Sequence, residues 1–582
     1  MGGTARTGLG LAMQATHNDE LGLVVSVTGA RAGVRLYKTS SEEGDASRVT
    51  IGRLVATRTG QSRVIGVITR ISVSAPEPGV EDGGFILADV DFLGEIKHAG
   101  SERAFFQRGV TDYPTIGDRM MPLSRGELGL IHHVEASETI EVGRLQLDDA
   151  IPAYINFDEL LRKHFAILGT TGVGKSSSVA LILREVLAQK ANLRIFLIDP
   201  HNEYAGCFGD MAYVISPKNL RLPFWLFNFE EIVDVFFRGR PGVEEEMEIL
   251  SELIPIAKAQ YSANARGDRI HIRKNALAGY TADTPVPYRV SDLVAQISDR
   301  MGKLENRASW TKYHRLITRI ESLGNDSRYA FMFNSLFVED MMVRVLSELF
   351  RLPVEGKPIT VMQLAGFPAE VVDSVVSVLC RMAFDFGVWS DGAVPLLVCC
   401  EEAHRYAPAD RKLGFGPTRK AVSRIAKEGR KYGVFLGVVT QRPVELDATI
   451  LSQCSTVFAM RMANDRDQAI VKSAVPDAGS SLIEFLASLG TREAIAFGEG
   501  IALPMRFRFK DVPKEFLPRS QSGQQVQLRG NEADAGFIAS VVDRWREATT
   551  TTMRPRGGMA SIEDALEQQA ALGPSVIARK TG

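Results

Sequence analysis

Between His164 and Leu183 the chain reads HFAILGTTGVGKSSSVALIL. An apolar run enters a polar, glycine-rich knot, and a second apolar run leaves it. The knot, Gly169-Thr170-Thr171-Gly172-Val173-Gly174-Lys175-Ser176, fits G-x-x-x-x-G-K-[ST]. That pattern requires a strand, a loop and a helix in immediate succession. Its glycines let backbone N–H groups converge on phosphate oxygens with no side chain in the way. The helix N-terminus adds partial positive charge at the same point. Residues 169–177, ending at Ser177, are therefore the expected cradle for ATP. The spacing lets Lys175 reach the β- and γ-phosphates and Ser176 ligate Mg²⁺ through its hydroxyl. A plain glycine-rich βα turn has no need of a Lys-Ser pair after its last glycine.

Such a loop needs an acidic strand end beside it. PLLVCCEEAH supplies one: an apolar strand that ends at Glu401-Glu402. Its carboxylates should emerge at the C-terminal edge of the sheet, where open parallel sheets bind ligands. Glu401 is expected in the Mg²⁺ shell, and Glu402 is expected to orient or deprotonate the attacking water. The competing account is an acidic pair favoured by a helix dipole alone. RIFLIDPHNEY places Asp199, His201 and Glu203 just past another strand. His201 lacks a second His or Cys at ligand spacing, so it reads as a polar neighbour of the nucleotide or a plain loop residue. VVTQRP ends a strand at Gln441, a position suited to sensing the γ-phosphate or merely to capping the strand.

Around these motifs the texture changes several times. Short valine- and isoleucine-rich runs with turn residues between them fill 21–148, as in a small barrel or sandwich. Within that region His132 and His133 are adjacent, so in a strand they would point to opposite faces and could not share a metal. Strand-like and helical stretches then alternate over 149–228 and 346–515, which predicts an α/β core with a parallel sheet. The stretch 229–345 is helical in pattern and reads as an insertion. Residues 1–20 are expected to be disordered, and 516–582 to form a partly mobile extension.

Charge narrows the function classes. A net charge of -2 over 582 residues argues against a polybasic nucleic-acid coat, though not against a local basic lining. Arg405, Arg411, Lys412, Arg419, Lys420, Arg424, Lys427, Arg430 and Lys431 face only Asp410 and Glu428 in one stretch. Three readings compete: arginines reaching a neighbour's ATP site, a phosphate-binding pore surface, and a solvated helix. Arg430, on the expected helix before the Gln441 strand, is the candidate finger. Five cysteines without metal-ligand spacing suit a reducing cytoplasm. No run of 18 apolar residues predicts a membrane span, and the N-terminus is a poor signal peptide.

GTTGVGKS, LIDPHNEY, LLVCCEEAH, KEGRKYGVFLGVVTQRP and AIAFGEGIALPMRFRF occur in that order. Together they resemble the HerA-like ATPases, hexameric DNA translocases related to FtsK, over roughly residues 20–515. The resemblance implies a P-loop NTPase (RecA-like) core, an N-terminal HAS barrel and an inserted helical bundle. It also implies a homo-hexamer with ATP between neighbours and double-stranded DNA in the channel. Expected partners are a nuclease (NurA-like) or a defence effector such as a sirtuin-like NADase. A second trans-acting basic residue is expected just before the P-loop strand, at Arg162 or Lys163. The usual DPHGEY appears with Asn202 in place of Gly, a residue that tolerates left-handed backbone better than most. The alternative function is a ring scaffold that binds ATP and activates a partner effector.

Overall fold

The computed structural model describes residues 20–519 apart from 38–48, 74–84, 133–137, 147, 238–240, 266–278, 304–306, 334–337, 368 and 475–476. Beyond 519 it describes residue 542 alone. The expectations for the N-terminal 19 residues, for His133 and for the extension past 519 fall outside the described residues. The described chain divides into two units. One holds 20–221, 226–231 and 340–519; the other holds 222–225 and 232–339.

The first unit begins with seven antiparallel strands: β1 Gly22–Val27, β2 Arg31–Leu36, β3 Leu54–Thr59, β4 Ser62–Val73, β5 Ile86–Lys97, β6 Phe105–Arg108 and β7 Arg119–Pro122. They run in the order β2-β1-β7-β3-β4-β5-β6, and β2 also pairs with β5. That pairing closes six strands into a barrel and leaves β6 outside the ring on β5. Inward residues alternate along the strands, among them Val24, Val34, Val55, Val64, Ile68 and Val90, and fill the interior.

The remaining strands form one large sheet: β8 Thr139–Leu145, β9 Pro152–Asn156, β10 His164–Leu168, β11 Arg194–Asp199, β12 Ala212–Ile215, β13 Ile359–Gln363, β14 Leu396–Cys400, β15 Val434–Thr440, β16 Cys454–Met460, β17 Glu493–Gly498 and β18 Met505–Phe509. Their order is β12-β13-β11-β14-β15-β10-β16-β17-β18-β8-β9. The seven strands from β12 to β16 are parallel. β10, β13 and β14 are buried at every position, as expected for strands covered by helices on both faces. The sheet is α/β as the sequence predicts, but β17, β18, β8 and β9 add to it antiparallel.

β8 falls within 21–148, the span expected for the barrel, yet it pairs with β18 of the large sheet. The physical reason is closure. The β2–β5 pairing leaves the ring no edge to receive another strand, whereas β18 would otherwise end its sheet with unpaired backbone groups. Barrel and sheet are also tied through Arg108. Its Nε donates to the Ala502 carbonyl (2.9 Å) and its Nη2 to the Gly498 carbonyl (2.7 Å).

The second unit is helical; among the described residues no strand occurs between Ile215 and Ile359. Helices Glu244–Ala265, Val290–Gly302 and Arg307–Gly324 pack on one another. Leu250, Leu253, Ile254 and Ala257 give the first of them a buried stripe at helical spacing. Lys258 is fully buried there and donates to the carbonyls of Ala282 (2.5 Å) and Thr284 (2.6 Å); burial pulls its ammonium down to about 8. None of the described helices is long and apolar enough to cross a membrane.

Candidate active site

The P-loop leaves the buried strand β10 and enters the helix Lys175–Gln189. Its base is held between the neighbouring strand ends. Gly169 N–H donates to the Thr440 carbonyl (3.3 Å) at the end of β15, and Thr170 N–H donates to the Arg461 carbonyl (3.0 Å) just past β16. Gly172 (φ 77°) and Gly174 (φ 99°) occupy left-handed backbone that side chains disfavour. At Gly174 a Cβ would also lie 2.8 Å from the Cγ of Arg492. Gly174 caps the helix without a side-chain bond, so the first-turn N–H groups are left to an outside acceptor. Lys175 is buried, and its Nζ donates to the Thr170 carbonyl (3.0 Å). Burial lowers its pKa, and Glu402, Glu401 and Glu203 oppose that effect.

The acids converge on this point from two strand ends. Ser176 Oγ donates to Glu203 Oε2 (3.1 Å) and approaches Glu401 Oε1 at 3.4 Å. The buried Tyr204 hydroxyl donates to the same Glu401 oxygen (3.0 Å). Asp199 holds the turn that presents both partners, accepting from the backbone N–H of Glu203 (3.1 Å) and Tyr204 (2.9 Å). Burial, with the charges of Asp199, Glu203 and Glu402 added, pushes the Glu401 carboxyl up to about 8, against the Tyr204 hydrogen bond.

Glu402 leaves β14 with φ 52°, a costly conformation for a residue with a side chain. His404 lies beside it. The imidazole Nδ1 is hydrogen-bonded to Thr440 Oγ1 (2.9 Å) and stands 3.3 Å from Glu402 Oε2. The second contact is proximity without hydrogen-bond geometry, because Glu402 Oε2 and Glu401 Oε2 are both buried with no hydrogen-bond partner. Buried carboxylate oxygens left in this state are costly. A hydroxyl and carboxylates facing a bare helix N-terminus suit a Mg²⁺-bound nucleotide, since Mg²⁺ takes oxygen ligands and shares them with phosphate. Among the described residues no three His, Cys, Asp or Glu side chains form a metal cage.

β15 lies between the P-loop strand and the acidic strand. Gln441 sits just past its end, and its Oε1 accepts from Thr171 of the loop. Asn202 adopts φ 57°, the left-handed conformation anticipated for that position, and exchanges hydrogen bonds with the backbone of Ala365. His201 is exposed.

Arg430 lies elsewhere. It is exposed in the short turn Gly429–Tyr432 that precedes β15, past the end of the helix Gly416–Glu428 on which the sequence placed it. Gln441 follows the far end of the same seven-residue strand, roughly 20 Å away. Arg162 and Lys163 precede β10 at the same edge as Arg430, paired with Glu159 (2.9 Å) and with Glu499. These three basic residues are therefore remote from their own P-loop. Elsewhere in the basic stretch, Lys420 pairs with Glu230 and Arg424 with Asp385.

Sequence reasoning overlooked Tyr204, His404, Thr440 and Arg492 as neighbours of the site. Tyr204 closes the DPHNEY run and His404 follows the acidic pair by two residues, so both carried a local signal. Thr440 and Arg492 carried none.

Fold and site define a P-loop ATPase with a third strand between its phosphate-binding and acidic strands. Residues 140–383 match the family model described as helicase HerA, central domain. The chain is similar to HerA helicases over most of its length. It is 25% identical to the DNA double-strand break repair helicase HerA of Pyrococcus furiosus, over 73% of this chain and 79% of that protein. It is 25% identical to the helicase of the same name from Sulfurisphaera tokodaii, over 83% and 91%. Against that of Sulfolobus acidocaldarius the identity is 24%, over 78% and 88%.

Proposed function

We propose that this chain is an ATP-driven motor on double-stranded DNA, working as a ring of six in the cytoplasm. One observation carries the reading: Ser176, Glu203, Glu401 and Glu402 gather around Lys175, with a buried oxygen of each strand-end glutamate unpartnered. Residues 169–177 cradle the triphosphate, and Lys175 exchanges the Thr170 carbonyl for phosphate oxygens. Ser176 and Glu401 would hold a Mg²⁺ ion, which would supply charge neutralisation on the phosphates. Glu402 accepts a proton from the attacking water, whose oxygen bonds to the γ-phosphorus as ADP leaves. Gln441, tied to Thr171, reports the γ-phosphate to the loop.

Arg430 and either Arg162 or Lys163 serve the neighbouring subunit's site, which is the role open to residues at the edge remote from their own loop. The relatives named DNA double-strand break repair helicases support DNA as the track. In this reading a nuclease or another effector works beside the ring, in DNA end processing or anti-phage defence.

Steady-state ATP hydrolysis with and without duplex DNA tests the proposal. Duplex DNA should raise the rate, and Arg430→Ala should lower it at least tenfold in assembled rings while ATP binding persists. A rate indifferent to duplex DNA but raised by a partner protein would turn the reading into the ring scaffold.

A further inference from the structure

The strand order gives the nucleotide site two flanks. Glu402, His404 and Gln441 lie on the β14 and β15 side of the P-loop strand. A triphosphate whose γ end faces those residues must lead its α-phosphate and nucleoside toward the other side, where β16 and β17 follow. Arg492 stands on that side, immediately before β17. Its backbone N–H donates to the carbonyl of P-loop residue Val173 (2.8 Å). Its stem lies against Gly174, so closely that no Cβ would fit between them. The backbone at Arg492 is left-handed (φ 63°), a conformation unusual for an arginine. Its guanidinium is ion-paired with Asp511, a side chain 83% exposed to solvent. Pairs with so exposed a partner contribute little and exchange readily.

We infer that Arg492 is a nucleotide-binding residue of this site, moving its guanidinium from Asp511 to the α-phosphate of the bound nucleotide. The inference rests on the ATP-site reading above. The left-handed turn fixes the arginine stem against the cradle, and Asp511 holds the charge until an α-phosphate competes for it. A guanidinium makes charge-assisted bonds to phosphate in fork geometry, for which a solvated carboxylate is a weak rival. ATP and ADP share the α-phosphate, so Arg492 should act on both equally. Gln441, on the γ side, should act on ATP alone.

The test is equilibrium binding of ADP and of a non-hydrolysable ATP analogue to the full chain, with thermal unfolding run in parallel. Arg492→Asn, which tolerates the left-handed backbone, should weaken both nucleotides about tenfold and by the same factor. Arg492→Lys should recover part of that loss. Asp511→Asn, at an exposed position where misfolding is not an issue, should tighten both about threefold. Unchanged affinities in Arg492→Asn, a loss confined to the triphosphate, or no gain in Asp511→Asn would overturn the inference. Lys175→Ala separates the two levels. If wild type binds nucleotide and Lys175→Ala does not, the ATP site stands whatever Arg492 does. If wild type binds neither nucleotide, both readings fall.

Discussion

The two ends of the central strands are built on opposite rules. At the C-terminal end, Glu401 and Glu402 are buried with an unpaired oxygen each, and burial pushes Glu401 up to about 8. At the N-terminal end of the same strands, His164 is buried with every polar atom used. Its Nδ1 accepts from the Leu436 N–H (2.9 Å), which leaves the proton on Nε2 to donate to the Ala426 carbonyl (2.9 Å). The ring thus joins β10 and β15 to the helix Gly416–Glu428 and stays neutral, its pKa lowered to about 4 by burial. One end satisfies its groups at once and gains rigidity. The other leaves buried carboxyl oxygens without partners, a cost that the Mg²⁺ of a bound nucleotide can offset.

This contrast breaks if changes at the two ends have the same consequences. The largest effect should come from Lys175→Ala, which should weaken ATP binding by about a thousandfold or more while leaving thermal unfolding near wild type; calorimetric titration would show the first and a scanning-calorimetry melt the second. Next, Glu402→Gln should lower kcat about 10²-fold or more with ATP still bound. It should unfold at no lower a temperature than wild type, because it removes a buried charge. A variant that hydrolysed ATP normally, or unfolded early, would place Glu402 among the residues that hold the fold together.

At the other end the sign reverses. Replacing His164 with Ala should cost about 2–3 kcal/mol of stability, since it leaves the Leu436 N–H and Ala426 carbonyl unpaired, with nucleotide affinity unchanged. Acid should act through the same ring. The unfolded state binds a proton near pH 6.5 and the folded state only near 4. This contribution is therefore present above pH 6.5 and is lost as pH falls to 4, by about 3 kcal/mol in all. Denaturant titrations across that window should show the slope in wild type and lose it in His164→Ala. The smallest effect concerns Glu401, which is protonated below about 8 and must ionise to hold a cation. Raising pH from 7 to 9 should tighten Mg²⁺–ADP binding by up to about tenfold, and Glu401→Gln should flatten that rise.

Much of this architecture could be read before any coordinates. Gly169–Ser176 between two apolar runs implied a strand, loop and helix, and LLVCC implied a buried strand with Glu401 and Glu402 at its exit. Such features are local: residue type and spacing within ten positions determine them. What escaped the sequence is long-range. Nothing in TIEVGRL says that its partner is MRFRF, because pairing of two edge strands depends on which edges remain free once the barrel has closed. Arg492 escaped for the same reason: it meets Gly174 only because β16 and β17 lie side by side. Arg430 precedes the Gln441 strand in the chain, so chain order alone already puts it at the end opposite Gln441.

The pairing of β8 with β18 also sets an order of events during synthesis. The barrel strands, all between Gly22 and Pro122, can close as soon as they leave the ribosome. β8 and β9 follow directly, yet their partner in the sheet is made about 350 residues later. At roughly 5–20 residues per second, that is a wait of about 20–70 s. Throughout it, the nascent chain carries a finished barrel ahead of an apolar β-hairpin with no sheet to join. This protein should therefore depend on chaperones during translation far more than a domain of equal size whose strands pair with their immediate successors.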